Sequence, residues 1–120
     1  MVKRYVDAFE RYDMDALVEL LHDDAYQSMP PFDMWLQGAE NITTWMVQPG
    51  PSECRGSRLL PVKANGSPGY GQYRRDPAGG HKPWALQVLE ISGDRIAGMH
   101  FFLDAESLFP AFGLPAHLPA

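Results

Sequence analysis

The residues best equipped for proton chemistry lie late in the chain. His100 sits in "AGMHFFLD", Glu90 ends the run "PWALQVLE", and Asp104 follows the histidine by four residues. A histidine titrates near neutrality and can serve as general acid or base. That role needs a neighbour to orient the ring, and no spacing in the sequence fixes a carboxylate beside His100. A half-buried histidine with a satisfied hydrogen bond is the simpler reading. Cys54 stands alone, without a nucleophile signature around it, and reads as a small buried or edge thiol. His22, His81, His100 and His117 are scattered, and "HDD" lacks a second histidine at helical spacing, so no metal site is expected. The glycines of "GSPGYG" precede no helix and make no phosphate loop. No cofactor is implied.

The elements that must position these groups follow from periodicity. Val2, Tyr5, Val6 and Phe9 form one apolar helical face, and Met14, Leu17, Val18 and Leu21 repeat the pattern after "RYD". Asp13 can cap the second helix and Asp15 suits its first turn. "AYQSM" reads as a short strand. "MPPFDMWLQG" reads as an apolar turn, because Pro30 and Pro31 cannot continue a central strand. A third helix after Gly38 presents Ile42, Trp45 and Met46. Four strands then follow, "ECRGSRLLPVKA", "SPGYGQYRR", "PWALQVLEI" and "RIAGMHFFL", joined by "NG", "DPAGGHK" and "SGD". Gly56, Gly69, Gly71 and Gly98 inside them predict bulges or bends. Three helices set apart from a mainly antiparallel, strongly curved sheet make an α+β domain. Residues 1–104 form that domain, and 105–120 an apolar, Pro-rich tail that packs on the domain or on a partner.

Composition narrows the function classes. The chain has 120 residues, enough for one domain with a real core and no disulfide. A single cysteine suits a reducing compartment. No apolar run reaches the ~18 residues of a membrane span. Net charge is −5 and the ten Lys and Arg are dispersed, so no basic face exists for nucleic acid. The abrupt helical start, with no leader, suggests a piece of a longer protein.

The element order with "RYVDAFERYDMDALVELLHDDA" resembles the nuclear-transport-factor-2-like superfamily and its SnoaL-like branch of cyclases, epoxide hydrolases and ketosteroid isomerases. The resemblance implies a cone with helices over its concave face. "SMPPFDMWLQG", "CRGSRLLPVKANGSPGYGQYR", "PWALQVLEISGDRIAGMHFFLD" and "LFPAFGLPAHL" are similar to the C-terminal SnoaL-like domain of actinobacterial extracytoplasmic-function sigma factors. That narrower resemblance implies a cytoplasmic, non-catalytic accessory domain. Its implied partners are the preceding sigma-factor domains and the RNA polymerase core.

The isomerase chemistry of this superfamily needs a carboxylate base, a tyrosine and a protonated acid at the oxyanion. Aligned through "RYV" and "DDA", the tyrosine falls on Tyr5, the base on Met29 and the second donor near Gln87. Methionine accepts no proton, so that chemistry is absent. Met29 should nonetheless point into the cone. The epoxide hydrolase pattern needs an Asp–Arg–Asp cluster around a water. Arg58 with Asp33, Asp76 and Asp104 supplies the types but no register, and an exposed arginine is expected instead.

What remains is a pocket for a small apolar ligand, lined by Tyr5, Met29, Trp35, Trp45, Tyr73, Trp84, Gln87, His100 and Phe102. The leading function is a regulatory module of an extracytoplasmic-function sigma factor. The alternative is a stand-alone SnoaL-like isomerase, cyclase or hydrolase using His100. A homodimerising module is a third reading.

Overall fold

The computed structural model describes residues 2–30, 32–64 and 66–119. Helices α1 (Val2–Glu10) and α2 (Met14–Leu20) lead into strands β1 (Leu21–Met29) and β2 (Phe32–Gln37). Helix α3 (Ala39–Met46) and a 3-10 turn (Pro51–Cys54) follow. Strands β3 (Arg58–Ala64), β4 (Ser67–Arg75), β5 (His81–Ser92) and β6 (Arg95–Phe102) then precede helix α4 (Ala105–Ala111). The six strands form one sheet in the order β2-β1-β6-β5-β4-β3. Only β1 and β6 run parallel among the described strand pairs; the rest are antiparallel. The fold is α+β, with α1–α3 over the inner face of the sheet.

The helical start follows the apolar spacing. Tyr5, Ala8 and Phe9 are buried on α1, and Leu17 and Leu20 on α2. Val2 and Val18 are exposed at the rim of their stripes. Asp13 caps α2, its carboxylate accepting from the Ala16 amide at 3.2 Å. Between the helices Tyr12 holds a left-handed φ of 55°. Its buried hydroxyl compensates that strain by donating to the carbonyls of Met46 (2.8 Å) and Pro51 (2.9 Å). Leu21, placed by spacing on the second helix, is instead the first residue of β1, fully buried.

Two stretches differ from their sequence reading. "MPPFDMWLQG" is a turn followed by β2, which pairs antiparallel with β1 through Ser28↔Trp35 and Met29↔Phe32. Prolines at the turn leave an edge strand free to form after them. Pro31 and the side chains of Phe32, Asp33 and Met34 lie outside the described residues. "ECRG" is not strand: Pro51–Cys54 is a 3-10 turn, and Gly56 at φ 86° reverses the chain before β3. At the β3–β4 hairpin, Ala64↔Ser67 encloses two residues; Asn65 lies outside the described residues and Gly66 has φ 82°.

Register sorts the side chains into two faces. Gln27 and Met29 of β1, Met99 and Phe101 of β6, Gln87 and Leu89 of β5, and Tyr70 and Gln72 of β4 share the inner face. Tyr26, Ser28, His100, Phe102, Leu86 and Glu90 share the outer face. The outer face is apolar too, because the C-terminal segment covers part of it. Phe109 packs on Tyr73 and Leu86 as a second core, joined by Leu114 and Leu118. Leu118 and His81 exchange backbone hydrogen bonds of 2.8 and 2.9 Å, and the Tyr73 hydroxyl donates to the Pro115 carbonyl at 2.7 Å. Gly71 permits this approach, since a Cβ there would lie 2.6 Å from Leu114 Cδ1. Gly80, at φ 71°, faces the Leu118 carbonyl where a Cβ would collide.

Candidate functional site

The inner face carries a buried chain of polar side chains. The Tyr5 hydroxyl donates to Gln87 Oε1, and Gln87 Nε2 donates to Gln72 Oε1 at 2.7 Å. Gln72 Nε2 donates to Ser57 Oγ at 3.3 Å. All four residues are essentially inaccessible. Burial pushes the Tyr5 phenol well above its ordinary pKa, so it stays neutral. Tyr5 and Gln87 are thus brought together, but each spends its polar atoms on the other and on the neighbouring amide. Gln27 lies on the same face, fully buried, and its amide nitrogen and oxygen have no protein hydrogen-bond partner.

At the end of this face lies an open cleft of about 360 Å³, lined by Met29, Trp45, Gly50, Pro51, Glu53, Arg74, Trp84 and Leu103. Met29 is buried there rather than facing solvent. Trp84 reaches it through a bulge. Gln72 pairs with Ala85 but Tyr73 with Pro83, so β5 holds one residue more than β4, and that residue is Trp84. Plain alternation along β4 after the inward Gln72 puts Tyr73 outward and Arg74 toward the cleft, and the bulge brings Trp84 to the same side. The Arg74 guanidinium lies 3.8 Å from the centre of the Trp84 ring. Its Nε and Nη2 donate to Cys54 Sγ at 3.4 and 3.2 Å. Nη1 lies 3.6 Å from Glu53 Oε2.

Six of the nine pocket residues expected from sequence do not line this cleft, four of them because they lie on the outer side of the sheet. Trp35 is 59% exposed, because its place on β2 opposite Ser28 puts it on the outer face, near Tyr26. Tyr73 is in the outer core beneath Phe109. His100 and Phe102 do share one face, but it is the outer one; Met99 and Phe101 take the inner positions. His100 and Phe102 line a separate groove of about 320 Å³ with Lys63, Leu86, Val88, Leu108 and Phe112. Tyr5 and Gln87 lie inside the core and reach no cleft wall.

His100 is not without an orienting group. Its Nε2 lies 2.9 Å from Glu90 Oε1 and its Nδ1 2.7 Å from Ser28 Oγ. Tyr26 donates to the same Glu90 oxygen at 2.6 Å. The carboxylate accepts, so Nε2 carries a proton. Hydrogen bonds from Tyr26 first, then His100, hold the Glu90 carboxyl below its ordinary range. Glu90 also raises the Tyr26 phenol through their hydrogen bond. Arg58 Nε approaches Glu10 Oε2 at 3.9 Å, and among the described residues no aspartate pairs with it. Among the described residues, no three His, Cys, Asp or Glu side chains are grouped to hold a metal ion. No helix of the described residues is long and apolar enough to cross a membrane.

Sequence reasoning missed Gln72, Ser57, Glu53 and Arg74. Gln72 was readable by alternation, since it shares a face with Tyr70 and not Tyr73. Arg74 was readable in the same way, two residues on from Gln72, whereas the β5 bulge that brings Trp84 to it has no local signal.

Residues 2–99 match the SnoaL-like domain, and the chain belongs to that family. It is similar to the ECF RNA polymerase sigma factor SigG of Mycobacterium tuberculosis, strains CDC 1551 and H37Rv, with 44% identity over 120 residues. The match covers 98% of this chain and 32% of the sigma factor, so the chain spans about a third of that relative's length. Among solved structures, an NTF2-like protein from Burkholderia xenovorans LB400 superposes with a TM-score of 0.68 at 15% identity, covering 85% of this chain and 78% of the other. An LEH-like epoxide hydrolase of M. tuberculosis gives 0.63 at 16%, covering 92% and 85%. At such identities these two establish the shared fold alone.

Proposed function

We propose that the chain is a regulatory, non-catalytic accessory module of an extracytoplasmic-function sigma factor, acting in the cytoplasm. It acts through contact with the sigma factor's other domains and the RNA polymerase core, not through DNA. The observation that carries this is the 44% identity to SigG along nearly the whole chain. The interior supports it. Met29, on which the resemblance places the isomerase base, is buried at the cleft, and the Tyr5 hydroxyl is already committed to Gln87. His100, the acid–base candidate of the enzyme reading, lies on the outer face, away from the inner cleft. The net charge of −5 with dispersed cations argues against a direct phosphate contact. The cleft beside Met29 is the place for a small, largely apolar ligand that tunes the module.

The test uses the full-length product of the native gene, with and without residues 2–119, in promoter-dependent transcription with core polymerase. Deletion should change open-complex formation or core affinity. Unchanged initiation and unchanged core binding, or a gene product without sigma domains, removes the proposal.

A further inference from the structure

We infer that the Met29 cleft recognises a small apolar anion, a carboxylate on an aromatic or branched aliphatic body. Arg74 is its anchor and Glu53 the internal anion it displaces. The inference rests on the reading above that the cleft holds a ligand, and adds its chemical class. A space of about 360 Å³ suits a small molecule. Met29, Trp45, Trp84 and Leu103 give it apolar walls, and among the described lining residues only Glu53 and Arg74 are charged.

Arg74 is poorly matched by its own chain. Its side chain is 17% exposed, so its charge is largely withdrawn from water. A guanidinium offers five donors in a planar fork. Two reach a thiol, which is a weak acceptor, and Glu53 stands at 3.6 Å, beyond a good hydrogen bond. Trp84 lies 3.8 Å from the guanidinium and holds it in place by cation–π attraction. A positioned fork with unfilled donors, at an apolar wall, is built for a carboxylate. Glu53 is suited to leave. Its side chain is 75% exposed, on a one-turn 3-10 segment that follows Gly50, so water can take over its charge. A cationic ligand would meet Arg74 across a low-dielectric wall, and a neutral one would leave the fork unfilled.

The cleft carries its own reporters, Trp45 and Trp84. Tryptophan fluorescence titrations would use phenylacetate and 4-methylpentanoate against their primary amides. The carboxylates should bind about tenfold tighter or more than the amides. Arg74→Met should abolish that preference while leaving amide binding in place. Glu53→Gln should tighten the carboxylates several-fold by removing the competing anion, a gain that a damaged fold does not produce. Equal binding of acids and amides, or no gain from Glu53→Gln, overturns the anion assignment and leaves a ligand-holding cleft standing. No binding by any probe overturns both.

Discussion

The two faces of the sheet carry polar chains of the same outline and opposite character. On the inner face Tyr5 hydrogen-bonds Gln87, Gln87 bonds Gln72, and Gln72 bonds Ser57. On the outer face Tyr26 bonds Glu90, Glu90 bonds His100, and His100 bonds Ser28. Where the inner chain has two amides, the outer has a carboxylate and an imidazole. Burial accounts for the difference. The inner chain has no access to water, and a charge there would need a partner of opposite sign to offset desolvation. Amides join without ionising. The outer chain keeps contact with water, Glu90 being 49% and His100 19% exposed, so ionisable groups are tolerated. A neutral chain sealed inside the fold holds structure at any ordinary pH. An ionisable chain at the surface responds to pH and contributes less.

The covering of the outer face is the first thing to challenge. Phe109→Ala removes the centre of the small outer core and should cost about 3–5 kcal/mol in urea unfolding. A loss near zero would mean the C-terminal segment merely rests on the sheet. Next, Tyr5→Phe leaves Gln87 Oε1 buried without its donor and should cost about 1–3 kcal/mol. Because burial raises the Tyr5 pKa, the wild-type advantage should be flat below the ordinary tyrosine value of 10.0. It should decline as pH rises beyond that value, where the unfolded chain ionises first. A pH-dependent difference near neutrality would contradict a sealed, neutral chain. The smallest effect belongs to Glu90→Gln, at most about 1 kcal/mol at neutral pH for an exposed pair. The folded Glu90 carboxyl is held below its ordinary 4.5, so its contribution is present above that value and lost as pH falls through the lowered one. Wild type and variant should converge in acid.

Much of the architecture was readable from residue spacing. Tyr5 and Phe9 on one face of α1, the cap at Asp13 and the turns at Gly66 and Gly93 all depend on near neighbours in the chain. The site was less so. Met29, Trp45 and Trp84 are together in the cleft, whereas Trp35, Tyr73, His100 and Phe102 belong to the outer side. Alternation says which residues of a strand share a face, not which face is inside. "AGMHFFLD" offers a face of Met99, Phe101 and Leu103 and another of Gly98, His100 and Phe102, both apolar enough to be buried.

What the sequence by itself determined is most of the local elements, though not β2 or the 3-10 turn, together with the family and the absence of a carboxylate at Met29. These are properties of residue identity and of spacings under about ten residues, where periodicity and turn chemistry act. Only the tertiary structure decided that Phe109 and Leu114 cover the outer face and so made it apolar. Only it decided that a one-residue bulge on β5 brings Trp84 inward against the Arg74 guanidinium. It also set Glu90 against His100, ten residues away along a hairpin, and Ser28 against it from a parallel strand. Such pairings come from strand order and register, which are fixed by burial of both faces at once and by no single segment of the chain.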